Sequence, residues 1–153
     1  RGLGDVSVMA FFGLLGVVGS FVCQTSSLQV DILLPALTLG AFSTGVLNVN
    51  NTRDLEADKA AGKITLAVRM GPEKARIYHI VLLVTGMLSM AVYAFIHFEW
   101  GGDWLFALSY PLFILNAVKV WQHRDPKKLD RMLKQLALST FVFTLLVGIG
   151  LSL

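Results

Sequence analysis

The residues of this chain that could do chemistry concentrate in one polar run, Asn50-Asn51-Thr52-Arg53-Asp54-Leu55-Glu56-Ala57-Asp58-Lys59-Ala60-Ala61-Gly62-Lys63-Ile64-Thr65, which interrupts an otherwise apolar sequence. If the preceding stretch continues as a helix, Asn50, Asp54 and Asp58 recur at intervals of four. They then fall along one face, about 6 Å apart. An oxygen-rich stripe of this kind suits Mg²⁺, which keeps several waters and is commonly held by one or two carboxylates together with substrate phosphates. Arg53, Lys59 and Lys63 add cations to the same run, and a guanidinium can grip phosphate oxygens in pairs. Together the two signs point to a metal-bridged diphosphate rather than to a bare metal ion. The Asp-x-x-x-Asp pair alone would carry little weight, because many solvated helix ends contain one.

The elements that must position this run belong in a bilayer. Hydrophobic residues make up 55% of the chain and charged residues 15%, against about 25% charged in an ordinary soluble domain. The acids and bases fall outside, or at the ends of, five apolar intervals near 6–30, 32–51, 77–98, 104–121 and 135–153. Each approximates the roughly 20 residues that cross a hydrocarbon core as a helix. The fourth interval is the least regular, with Pro111 in its middle and Lys119 inside its end. Snorkelling and helix–helix packing tolerate both. Asp31 ahead of Pro35, Asp103 before Trp104 and Asp125 before Pro126 read as helix starts, and Gly71-Pro72 as a stop followed by a start. Trp100 and Trp104 read as interfacial anchors.

Charge distribution supplies an orientation. The connection 52–76 carries Arg53, Lys59, Lys63, Arg69, Lys74 and Arg76, and the connection 122–134 carries Arg124, Lys127, Lys128, Arg131 and Lys134, whereas the loops near 27–30 and 99–103 carry no Lys or Arg. The positive-inside rule makes both basic connections cytoplasmic, with the N-terminus inside and the C-terminus outside. The net charge of +3 is thereby accounted for by topology and anionic lipid, without nucleic acid.

Other conspicuous residues read as packing. Cys23 has no second cysteine to pair with, and His79, His97 and His123 lack ligand spacing. Gly13, Gly16 and Gly19 in the first interval, and Ala41 with Gly45 in the second, would let helices approach closely. No secretory signal is evident, since the first apolar stretch is long and followed by further spans. A chain that begins at Arg1 and stops inside an apolar run is expected to be a fragment or a separately numbered half of a longer protein.

The full string from Asn50 to Leu66, Asn-Asn-x-Arg-Asp-x-x-x-Asp-x-x-x-Gly-Lys-x-Thr-Leu, continuing as Ala67-Val68-Arg69-Met70-Gly71, resembles the second aspartate-rich motif of the UbiA superfamily of intramembrane prenyltransferases. Its form is most like the 1,4-dihydroxy-2-naphthoate polyprenyltransferases of menaquinone synthesis. Gly2-Leu3-Gly4-Asp5, Phe11-Phe12-Gly13 and Val46-Leu47-Asn48-Val49-Asn50-Asn51 look like the same family. The resemblance implies an all-α, polytopic transmembrane bundle in a bacterial inner membrane, with these five spans matching the last five of nine around a central cavity. The whole chain, 1–153, would then be the C-terminal half of one integral-membrane domain. The first aspartate-rich motif of the family is absent from it, so its partners would include the N-terminal half of the same enzyme. The implied reaction transfers a polyprenyl group from polyprenyl diphosphate to an aromatic acceptor with Mg²⁺ as cofactor. For the naphthoate acceptor it proceeds with loss of CO₂ and yields demethylmenaquinone.

By the same resemblance Asp54 and Asp58 would ligate Mg²⁺ with Asn50 in support. Arg53 and Lys63 would contact the diphosphate, joined by Asn51, which lies off the stripe, and by Arg69 in the following loop. Gly62 would allow a bend, and the segment through Met70 would be either a lid or an ordinary connector. Another acceptor, such as 4-hydroxybenzoate, remains open. A transporter half would call for ionisable groups near mid-membrane, and a structural subunit would have no use for the polar run.

Overall fold

The computed structural model describes residues 2–97 and 102–152, the side chains of Gly102 and Asp103 excepted. Among the described residues there is no strand, and five helices are long and apolar enough to cross a membrane: Gly4–Thr25, Val30–Arg53, Pro72–His97, Trp104–Gln122 and Pro126–Gly150, here the first to fifth spans. The expected all-helical, five-span bundle is what forms. Two short helices, Leu55–Ala60 and Leu66–Met70, lie between the second and third spans.

The second span is the hub, packing against the first, third and fifth. Its contact with the first is made possible by two glycines. A Cβ added to Gly13 would stand 2.6 Å from the Ala36 carbonyl oxygen and 3.0 Å from Gly40 Cα, so the two backbones all but touch. The first span winds as a π-helix from Met9 to Gly19 through this crossing. Gly19 meets nothing within 4 Å and Gly16 meets Phe11 of its own helix, so of the three glycines expected to mediate close packing only Gly13 does. On the opposite side, Phe42 stacks on Phe113 of the fourth span with ring centroids 4.1 Å apart, and Phe143 of the fifth presents its edge at 5.3 Å. Leu83, Met90, Phe106 and Leu136 complete this core.

A polar network also ties the later spans together. His79, fully buried, bonds through Nε2 to Asn116 Oδ1 at 2.9 Å. The Asn116 amide donates to the Met132 carbonyl at 2.9 Å and to the Gln135 side chain, and Gln135 donates in turn to Ser139 Oγ at 2.9 Å. In hydrocarbon such groups must find partners on neighbouring helices.

Several boundaries differ from the sequence reading. The fifth span begins at Pro126 rather than near 135, so Lys127, Lys128, Arg131 and Lys134 stand on helical turns and the connection shrinks to residues 123–125. Likewise the third starts at Pro72 rather than 77. The apolar intervals mark where hydrocarbon ends, whereas the helices continue into the polar zone, where side chains are charged but the backbone bonds remain intact. Pro111 sits in the first turn of the α-helical segment Tyr110–Gln122, following a 3₁₀ stretch over Gly102–Ser109, and so removes no helical bond. Asp125 caps as expected, accepting from Lys127 N at 2.9 Å. Gly71, at φ 82°, separates Leu66–Met70 from Pro72. Asp31 does not cap; its carboxylate meets His97 Nε2 at 2.6 Å, joining the start of the second span to the end of the third. The reading of Trp100 as an anchor, and of Asp103 as a cap, falls outside what is described.

Candidate active site

The second span delivers the polar run to the end of the bundle opposite the Asp31–His97 pair. The helix does not run unbroken through Asp58 as the stripe argument assumed: Asp54, at φ −92° and ψ 9°, separates Leu33–Arg53 from Leu55–Ala60. The backbone bonds nevertheless keep the four-residue step, Asp54 N to Asn50 O at 3.0 Å and Asp58 N to Asp54 O at 2.8 Å. The stripe is bent but keeps its phase. Beyond it Gly62, at φ 70°, reverses the chain, with Gly62 N bonded to Lys59 O and Lys63 N to Asp58 O.

That turn folds Lys63 back onto the buried Asp58, with Nζ 3.1 Å from each carboxylate oxygen. Arg53 is the centre of a second cluster. Its Nε and Nη2 donate to the two oxygens of Asp54 at 2.8 Å each, Nη2 also to Asn50 Oδ1 at 2.9 Å, and Nη1 to Asp130 Oδ1 at 2.8 Å. Lys134 Nζ holds the other Asp130 oxygen at 2.9 Å. The bidentate Arg53 guanidinium holds the Asp54 carboxyl below its ordinary range against an opposing effect of partial burial, and the charge of Lys63 acts in the same direction as Arg53. The two clusters therefore share one electrostatic environment.

Asp130 was not anticipated from the sequence. Its partner lies 77 residues away, and the signal available was an acid within a basic stretch, four residues before Lys134. It locks the fifth span to the polar run and places both basic connections at the same end of the bundle. Asn51 is buried on another face of the helix and shares no hydrogen bond with Arg53. The stem of Arg69 passes Gly2, on an ordered connector: Thr65 caps the short helix by accepting from Val68 N at 3.2 Å, Ala67 packs with Leu55 and Ala75, and Gly2 N donates to Ile64 O at 3.0 Å.

Asn50 also looks into a cavity of about 500 Å³ between the first, second and fifth spans, whose walls include Val8, Phe12, Val46, Leu47, Leu133 and Ala137. Through Asn50 the Arg53–Asp54 cluster thus adjoins an apolar hollow. The described residues contain no group of three or more His, Cys, Asp or Glu side chains able to hold a metal by themselves. The donor set nevertheless fits Mg²⁺ shared with a phosphate: hard oxygens of Asn50 and Asp54 already converge on one cationic group at 2.8–2.9 Å, and Asp58 lies one helical step along.

The model of the UbiA prenyltransferase family matches residues 1–150 of the chain. The chain belongs to this family. Among its relatives, the 1,4-dihydroxy-2-naphthoate octaprenyltransferase of Haemophilus influenzae is 41% identical over 150 residues, 98% of this chain and 49% of the relative. The protein of the same name from Escherichia coli is 40% identical over 154 residues, 99% of this chain and 49% of the relative. The UbiA prenyltransferase domain-containing protein 1 of Gallus gallus is 39% identical over 92 residues, 60% of this chain and 28% of the relative. The chain thus spans about half the length of the bacterial relatives it matches over nearly its whole extent. No solved structure matches it. For a UbiA family member, five apolar helices, the second of them the hub, with the polar run at the basic end, make an integral membrane protein.

Proposed function

We propose that this chain forms the C-terminal part of an intramembrane enzyme that transfers a polyprenyl group from its diphosphate to 1,4-dihydroxy-2-naphthoate, releasing CO₂ and pyrophosphate and giving demethylmenaquinol, the hydroquinone form of demethylmenaquinone. The observation that carries the proposal is the Asn50–Asp54–Asp58 stripe with its cations, adjoining the apolar cavity that Asn50 lines. The names of the relatives in Haemophilus and Escherichia support the naphthoate as acceptor.

Each part of the site has a task in this reaction. Asp54 and Asp58, with Asn50, would hold Mg²⁺; once bound, it would neutralise negative charge growing on the diphosphate as the allylic C–O bond breaks. Arg53 and Lys63, each now paired with a carboxylate, would turn from those oxygens to the diphosphate. Asn51 and Arg69 would act at the edge of this contact. The remaining half of the domain would supply the other aspartate-rich motif, and the apolar walls would take the prenyl chain while keeping water from an allylic cation. The basic end would face the cytoplasm of a bacterial cell, where anionic substrate head and membrane chain are both accessible.

The test is a Mg²⁺-titrated prenyl-transfer assay on membranes containing the chain together with an N-terminal half, offering the naphthoate and 4-hydroxybenzoate side by side. Turnover of the naphthoate is expected, and Asp54→Ala or Asp58→Ala is expected to lower it by at least about a hundredfold, the usual loss when one electrostatic stabiliser of a transition state is removed. Near-normal turnover by both variants would overturn the roles assigned to them, and exclusive use of the benzoate would move the acceptor.

A further inference from the structure

A second site lies on a different face, between the third and fourth spans, and does not depend on the reading above. Arg76, in the second turn of the third span, is 7% exposed. No carboxylate among the described residues forms an ion pair with it. Its Nη1 donates to the Pro72 carbonyl at 3.1 Å and its Nη2 to the His123 carbonyl at 3.4 Å, while its buried Nε has no partner. A guanidinium desolvated to this extent, with one donor unmet, requires an acceptor. Arg76 lines a pocket of about 230 Å³ with Trp121, Arg124 and Glu73. Arg124 and Glu73 are both largely exposed and 3.8 Å apart, a loose pair that can open.

Trp121 belongs equally to a groove of about 460 Å³ running down between the same two spans, walled by Ile80, Val84, Met87, Ile114 and Val118. Two arginines at the basic end of the bundle thus adjoin an apolar trough, with the Trp121 indole common to both. We propose that this cleft binds one anionic phospholipid, its phosphate against Arg76 and Arg124 and one acyl chain along the groove. Charge decides the occupant: a zwitterionic headgroup would leave its own cation against the guanidinium groups, whereas a phosphatidylglycerol-type phosphate supplies the missing acceptor bidentately. Glu73 is the acid among the described residues lining the pocket and must turn away to solvent.

Trp121 is a built-in reporter. The protein in its native form is reconstituted in phosphatidylcholine vesicles containing equal mole fractions of either acyl-brominated phosphatidylglycerol or acyl-brominated phosphatidylcholine, and the fluorescence of Trp121 is taken as the difference from Trp121→Phe. The brominated phosphatidylglycerol is expected to reach half-maximal quenching at a lower mole fraction, by about fivefold for each arginine engaged. Arg76→Gln and Arg124→Gln are each expected to lower that preference by about fivefold and together to abolish it, and inorganic phosphate at millimolar concentration is expected to leave it intact. Equal quenching by the two lipids, a preference that survives both substitutions, or displacement by inorganic phosphate would each overturn the proposal. Should Arg76→Gln fail to fold, Arg124→Gln on the surface provides the same comparison, and Val84→Phe, which fills the groove, is expected to weaken quenching by the brominated phosphatidylglycerol; undiminished quenching would overturn the proposal.

Discussion

Arg53 donates to three side chains from three different parts of the run and the bundle, and no lysine could replace it, because only a planar fork reaches both oxygens of Asp54 while also engaging Asn50 and Asp130. The pairing sets a pH dependence whose sign is definite. Arg53 depresses the Asp54 carboxyl in the folded protein, so the pair contributes stability that is present above the carboxyl's unfolded value, about 3.9, and is lost as pH falls through the lower folded value. Thermal unfolding of the wild type and Asp54→Asn, compared from pH 6 downward, is expected to show a constant difference above about pH 5 that shrinks on acidification below about pH 4. A difference that widened with acid would refute the assignment. The carboxylates themselves were readable in the sequence because their spacing is local. Asp130 and the pairing of Asp31 with His97 were not, because each joins residues far apart in the chain and a carboxylate two residues from a helix start looks the same whether it caps or reaches across.

At the scale of elements, two junctions decide how the spans meet. The Arg53–Asp130 contact couples the second span to the fifth, so removal of either partner as Arg53→Met or Asp130→Leu should lower the unfolding temperature. The double variant should unfold close to the less stable single one rather than at the sum of the two losses. Additive losses would mean that the contact contributes nothing of its own. The Gly13–Gly40 crossing has no room for a methyl group, so Gly13→Ala is expected to cost about 1–3 kcal/mol in reversible detergent unfolding, whereas Gly19→Ala, facing open space, should be silent. The five spans were legible because long charge-free intervals have few other fates. Their ends were not, since helix formation continues past the apolar boundary wherever capping and backbone bonding permit, as at Asp125. That Gly13 and not Gly16 or Gly19 makes the crossing depends on which face the second span presents, and this is tertiary information.

For the whole molecule, the ion pair at Arg53 and the carbonyl contact of Arg76 with His123 place both basic connections at one end, and the proposed orientation puts that end in the cytoplasm. Single cysteines introduced at Lys59 or Lys128 in a Cys23→Ser background should be shielded from an impermeant maleimide in intact cells and react after permeabilisation, with Ser27 behaving oppositely; the reverse pattern would invert the molecule. The contact between Arg53 and Asp130 has a further meaning in time. Spans emerge from the ribosome in order, and the 77 residues between these partners take about 4–15 s to synthesise at ordinary rates. Throughout that interval the hub helix already sits in the bilayer with Asn50, Arg53 and Asp54 in place, while the fifth span does not yet exist. The clasp therefore closes only once the fifth span has begun to emerge, and a chain halted before residue 130 leaves Arg53 bonded to Asn50 and Asp54 alone.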